Sequence, residues 1–243
     1  MRYSSVVYVA CAAMLSGCFG GDVARVKESR MKGWPEFTVG QLLDKRKACS
    51  SVEWKNFTDT RDREVVEYSC TYEPGGKFFQ ERSAHAIEDE KDQPARAAER
   101  DAYYLGIEQK QIDHARAQLQ EAIERGVPVS SYEQAVARTE ADYERKKQSH
   151  AERAPREAEQ HSKRMAMLER RAANFRQVLE TTQWTVQDGE PVYLGSKIQA
   201  VFSDRVIDWP VNQVFIFEHA AQNSAELTES YRIYLDQMWA QYQ

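Results

Sequence analysis

Between about residue 81 and residue 182 glycine occurs only twice, at Gly106 and Gly126, in a hundred residues rich in Ala, Glu, Arg, Gln and Lys. Such usage favours long helices, because these side chains lose little freedom on a helix. Leu105, Ile112, Ala115, Leu119 and Ala122 fall near the alternating three- and four-residue spacing of a coiled-coil seam. Tyr132, Val136, Thr139 and Tyr143 do the same, as do Met165, Leu168, Ala172, Phe175 and Leu179. Between the halves stands Arg125-Gly126-Val127-Pro128-Val129-Ser130. Gly126 suits the position just past a helix end, and Ser130 or Ser131 suits an N-cap. A connection this short makes the two helices antiparallel, so the segment reads as a helical hairpin. Pro94 and Pro155 argue against straight arms. Across 146–162 alanine is the only apolar residue type. That stretch is a weak seam, a solvated single helix or a disordered polar segment.

The flanks carry a different pattern. Thr38-Val39-Gly40-Gln41 has the form of a capping box opening a helix over Thr38–Lys47, with Val39, Leu42, Leu43 and Cys49 near one face. A short strand is expected at Val52–Phe57 and a second at Glu64–Tyr72, where Val66, Tyr68, Cys70 and Tyr72 point one way. Pro74-Gly75-Gly76 breaks that strand. After Thr182, strands are expected at Trp184–Val186, Pro191–Leu194, Ile198–Phe202 and Val211–Phe217, with a turn at Asp188-Gly189. A last helix begins near Ser224 and aligns Leu227, Tyr231, Tyr234, Met238 and Tyr242, with Leu235 and Trp239 widening the face. The expected fold class is therefore α+β: a small mixed helix and antiparallel-sheet domain, interrupted by a long antiparallel helical hairpin. Residues 31–80 and 183–243 would form that domain around the hairpin at 81–182. Neither flank alone could bury a useful core, whereas together they reach about 110 residues.

The first twenty residues speak to address. Arg2 precedes an apolar run from Val6 to Leu15, which ends in Leu15-Ser16-Gly17-Cys18. The run is too short to span a bilayer and has the order of a secretory signal. Its ending resembles the lipobox of bacterial lipoproteins. The resemblance implies a signal peptide at 1–17, acyl chains on Cys18 as the first mature residue, and a tether over 18–30. Membrane lipid would then be a partner of the chain through Cys18. Phe19 stands where an aspartate retains enterobacterial lipoproteins at the inner membrane, which implies the periplasmic side of the outer membrane in a Gram-negative host. One acyl chain holds a protein marginally and several hold it lastingly.

Cys11 falls in the removed segment, which leaves Cys49 and Cys70. In an exported chain such a pair reads as a disulfide, here stapling the first helix to the sheet and contributing about 3 kcal/mol. A redox or metal role would need a CxxC spacing or a nearby histidine. The segments Phe37–Asp44, Val52–Phe57 and Val65–Tyr68 resemble a small helix-and-strand module of uncharacterised bacterial lipoproteins, to which no catalytic residues are attached. Lipid-anchored adaptors of tripartite efflux pumps also carry an α-hairpin on a β-rich domain, but this chain lacks their paired lipoyl-type half-motifs. Peptidoglycan-tethered lipoproteins end in a lysine, where this sequence ends in Gln243.

No HExxH, GxSxG, GxGxxG or Walker-type sequence is present. His85 and His161, like His114 and His150, stand on opposite arms, but a turn centred near Pro128 leaves each pair out of register by more than about 10 Å. They read as solvated residues, no metal is expected, and Glu88-Asp89-Glu90 with Asp92 reads as a solvated acidic face. A net charge of −5 shows no footprint for nucleic acid. The C-terminal aromatics serve core packing or an exposed patch. The expectation is a lipid-anchored periplasmic interaction or scaffold protein without cofactor or catalysis. Its hairpin would meet a helical partner or another copy, with the tip Gly126, Val127, Pro128 and Val129 as candidate contact. An adaptor of an envelope transport assembly and an inhibitor of a cell-wall hydrolase are the alternatives.

Overall fold

The computed structural model describes residues 20–31 and 33–242. The expected signal segment, Cys11 and the expected lipid site Cys18 lie outside them. Along the chain run α1 (Gly20–Glu28), β1 (Arg30–Met31), β2 (Trp34–Thr38), α2 (Val39–Leu43), β3 (Cys49–Thr58), β4 (Glu64–Tyr72) and α3 (Glu73–Glu124). Then follow α4 (Ser130–Asn174), β5 (Phe175–Gln187), β6 (Glu190–Phe202), β7 (Val206–Val211), α5 (Gln213–Gln222) and α6 (Glu229–Tyr242). The fold is α+β. Two compact units divide it, one made of residues up to 78 with 176–243 and the other of 79–175.

The first unit is built on a five-stranded sheet in the sequential order β3-β4-β5-β6-β7. The inward positions of β4 alternate as the period-two pattern requires, with Val66, Tyr68, Cys70 and Tyr72 buried. Val178, Glu180, Thr182 and Trp184 continue the buried side on β5, and Ile198, Ala200 and Phe202 on β6. Leu43, Ile216, Phe217, Tyr231, Leu235, Met238 and Tyr242 from the helices complete the core. Asp188 and Gly189 both take positive φ (52° and 86°) in the two-residue turn between β5 and β6, the geometry that matches strand twist in a hairpin.

Several expected boundaries shift, each for a physical reason. The tether expected over 18–30 is in large part α1, whose Val26 is fully buried and which packs on α2, β3 and β4. The capping box is present: Thr38 Oγ1 accepts from the Gln41 backbone N–H and Gln41 Oε1 accepts from that of Thr38. Its helix stops at Leu43, however, so Cys49 opens β3 instead of riding on a helix. The Cys49–Cys70 disulfide, with Cα atoms 5.4 Å apart, thus joins neighbouring strands and not helix to sheet.

Pro74-Gly75-Gly76 does end β4, but by starting α3 at once, since proline is tolerated in a first helical turn. A Cβ on Gly75 would lie 2.8 Å from Tyr72 and 3.0 Å from Val178, so only glycine fits this junction. The hairpin's second helix ends at Asn174, and Phe175 and Leu179, read as seam residues, are strand. Of the strand expected at Val211–Phe217 only Val211 is strand, as the last residue of β7. Asn212 caps Phe215 N–H at 2.7 Å and starts α5, whose Phe215, Ile216 and Phe217 are all buried. Three consecutive β-formers are helical here because the helix buries all three against the core while Val214, Glu218 and Gln222 face solvent. Ser224, near which the last helix was expected, accepts from Glu226 N–H in a turn, and α6 begins at Glu229.

The second unit is the hairpin. Helix α3 has 52 residues and α4 has 45, each continuous through its proline (Pro94 and Pro155). Ion pairs across the arms fix the direction: Arg116 with Glu140 at 2.6 Å, Lys146 with Glu108, His150 with Asp101 at 2.7 Å, and His161 with Glu90 at 3.0 Å. As one number rises the other falls, so the arms are antiparallel. Gly126 takes φ +67°, its N–H bonds to Ile123 O, and Val127 N–H reaches back to Ala122 O. This is a Schellman ending. Val129, and not either serine, occupies the N-cap of α4, without a side-chain cap bond.

Candidate functional site: a cleft in the hairpin seam

Near the turn the seam is filled. Ile112, Ala115 and Ala122 on α3 are buried, with Leu119 half-buried, and on α4 Tyr132, Val136, Thr139 and Tyr143 are half-buried. Farther along, α3 presents Asp101, Ala97, Pro94 and Glu90 at seam spacing, and α4 presents His150, Ala154, Ala158 and His161. Alanine at a seam position either draws two helices together or leaves a gap. Here it leaves a gap, an open cleft of about 600 Å³ lined by Pro94, Ala97, Ala98, Ala151, Ala154 and Ala158.

The polar residues at its two ends explain why the arms do not close. At one end His150 Nδ1 lies 2.7 Å from Asp101 Oδ2, with Arg153 at 3.6 Å from the same oxygen. At the other, Glu90 Oε1 meets His161 Nδ1 at 3.0 Å and Arg164 Nε at 2.7 Å. These long side chains act as struts that hold the helices apart over the short alanines between them. Partial burial works against the Glu90 charge, but the bonds from Arg164 and His161 outweigh it and hold this carboxyl below its ordinary range. The wall is apolar and the ends carry charge of both signs. Such a surface can take an apolar side chain or a helix edge, and it holds no nucleophile paired to a base.

The sequence-expected residues distribute as follows. The four histidines are out of register with one another, but His150 and His161 are each paired with a carboxylate across the seam instead of being simply solvated. Glu90 of the acidic run turns inward to make one of those pairs, while Glu88 and Asp89 stay exposed. Gly126, Val127, Pro128 and Val129 form the turn, and Val127 and Pro128 border a second, polar depression of about 420 Å³ with Gln118, Glu121, Arg125 and Tyr132. Tyr231 and Tyr242 are core residues.

Sequence reasoning missed the charged centre of the first unit. Glu180 on β5 is fully buried (0% exposed) and is held by both guanidinium nitrogens of Arg46, Nη2 to Oε1 at 3.1 Å and Nη1 on Oε2. The Tyr231 hydroxyl donates to the same carboxylate. Burial disfavours the Arg46 charge, yet Glu180 keeps the guanidinium firmly protonated. Burial, and behind it the charge of Glu180, pushes the Tyr231 phenol well above its usual range. No local pattern announces a pair 134 residues apart. The network is enclosed on all sides and serves the fold.

Among the described residues no group of three or more His, Cys, Asp or Glu could hold a metal ion, and no helix is long and apolar enough to cross a membrane. The chain matches no protein-family model, no curated protein and no solved structure.

Proposed function

We propose that this chain is a lipid-anchored interaction or scaffold protein of a bacterial envelope, working without catalysis and engaging its partner through the helical hairpin. The observation that carries the reading is the unfilled seam. Two long arms are held apart by ion-paired struts over a bed of alanine, a surface that buries its apolar wall only when another chain supplies side chains. The ending Leu15-Ser16-Gly17-Cys18 supports a lipid on Cys18, and the Cys49–Cys70 bridge accords with an oxidising compartment such as the periplasm.

Two measurements test it. Metabolic labelling with a palmitate analogue is expected to mark the chain and not a Cys18→Ser variant, which should also leave the membrane fraction. Labelling that survives Cys18→Ser refutes the anchor. Co-purification from cells is expected to lose the hairpin's partner when Ala97 and Ala154 are both replaced by leucine. A partner retained by that variant refutes the cleft as the contact.

A further inference from the structure

We infer that Ser230 is an acyl-acceptor site, a serine hydroxyl with His219 as its base, where α5 meets α6 in the first unit. His219 is fixed in one orientation. Its Nδ1 lies 2.7 Å from the backbone carbonyl oxygen of Phe215, one turn earlier. Its ring packs against those of Phe215 and Tyr231, with centroids 4.4 and 4.5 Å away. A carbonyl oxygen only accepts, so Nδ1 carries the proton and the neutral ring presents a lone pair at Nε2. Ser230 Oγ stands 2.9 Å from that nitrogen and Thr228 Oγ1 stands 2.8 Å from it. A hydroxyl donating to an imidazole whose other nitrogen is held by a third group is the arrangement that activates a nucleophile. The lone pair takes one hydroxyl proton at a time. Ser230 is the one that reacts, because it is exposed, whereas Thr228 is half-buried and carries a methyl group beside its oxygen.

The place of Ser230 in α6 supplies donors for the charge that develops on attack. The bond from Arg232 N–H to Thr228 O, at 3.0 Å, opens the backbone ladder of that helix, so the N–H groups of Ser230 and Tyr231 lie ahead of it. These are the nucleophile's own amide and the next one, the two positions from which a backbone can hold an oxyanion. Ile233, three residues on along the same helix face and 52% exposed, gives an apolar surface beside the hydroxyl. The ligand class is therefore an uncharged activated ester with a short apolar acyl group. Ser230 Oγ attacks the carbonyl carbon while its proton passes to His219 Nε2. The bond to the leaving oxygen then breaks, and that oxygen takes the proton from Nε2, leaving acyl-Ser230 and a free alcohol. One such acylation modifies the chain without turnover, so it goes beyond the hairpin reading and does not depend on it.

A fluorophosphonate probe, which takes the same attack at phosphorus and loses fluoride, tests this on the full-length chain, with the modified peptide located by mass spectrometry. The expected result is an adduct on Ser230, absent from Ser230→Ala and formed at least about a hundredfold more slowly in His219→Gln. Thr228→Val removes the competing hydroxyl and should label at least as fast as the parent. That variant decides the matter if His219→Gln loses its helical circular dichroism. Four outcomes overturn the inference: no adduct above that of the urea-unfolded chain, an adduct on Thr228 in place of Ser230, an unchanged rate in a folded His219→Gln, or loss of labelling in a folded Thr228→Val.

Discussion

Glu180 and Arg46 show how far a single residue reaches in this fold. Taking a carboxylate and a guanidinium out of water is costly, and the cost is offset only by the bidentate contact and the Tyr231 hydroxyl. Glu180→Gln leaves the buried Arg46 charge uncompensated and is expected to destabilise the protein by about 3–5 kcal/mol, read from urea midpoints. Replacing both partners with Leu and Met should recover most of that loss, because the penalty belongs to the orphaned charge. Asp59 gives a residue-scale pH prediction. Its carboxylate accepts from Arg63 through Nε at 2.8 Å and Nη2 at 2.6 Å, and from the backbone N–H of Arg63 and Arg61, which holds its pKa at about 2. A depressed carboxyl pKa stabilises the β3–β4 turn fully above the ordinary aspartate value near about 4 and loses that effect as pH falls toward 2. Carboxyl NMR should place the titration of Asp59 near 2, and Arg63→Ala should return it toward the ordinary value.

At the scale of elements, the hairpin sets two long helices against each other with a seam that changes character along its length. The turn end is filled by Ile112, Leu119, Tyr132 and Tyr143, and the middle is open over Ala97 and Ala154. The open part is stable because the struts at Asp101–His150 and Glu90–His161 supply pairing where burial is lacking. Filling it should add what it lacks. Ala97→Leu with Ala154→Leu is expected to stabilise the isolated chain by about 2 kcal/mol of apolar burial, seen as a rise in Tm of roughly 4–8 °C. A fall in Tm would mean the arms cannot accept the added volume. The Cys49–Cys70 bridge works elsewhere, tying the first residue of the edge strand β3 to β4. By closing a loop of 21 residues it contributes about 3 kcal/mol through the unfolded state.

At the scale of the whole molecule, one chain carries a disulfide-braced α+β unit and a hairpin unit, each with its own packing. The proposed anchor, the envelope location and the hairpin's partner are claims at this scale. Palmitate labelling of Cys18 and co-purification with the leucine-filled hairpin test them independently.

What the sequence alone determined is what depends on neighbours along the chain. The helical run, the Schellman turn at Gly126, the Thr38–Gln41 capping box, the Asp188-Gly189 turn and the alternation of β4 all follow from local dihedral preference and short periodicity. On sequence alone the stretch at 146–162 is open between a weak seam, a solvated helix and a disordered segment; in the structure it is helical, and its alanines line one side of the cleft. Tertiary structure decided whatever needed a partner far away. Leu179 kept the helical spacing but became strand because β4 offered a sheet edge to pair with, and Phe175 opens the same strand. Val211–Phe217 gave up its strand preference where the core required a buried helix. His150 and His161 read as solvated when set against His114 and His85 on the opposite arm, since their partners there are the carboxylates of Asp101 and Glu90. The physical reason is the same in each case: a backbone preference amounts to a few tenths of a kcal/mol per residue, while burying an apolar side chain or stranding a charge is a matter of whole kcal/mol, and only the folded chain specifies which groups are buried together.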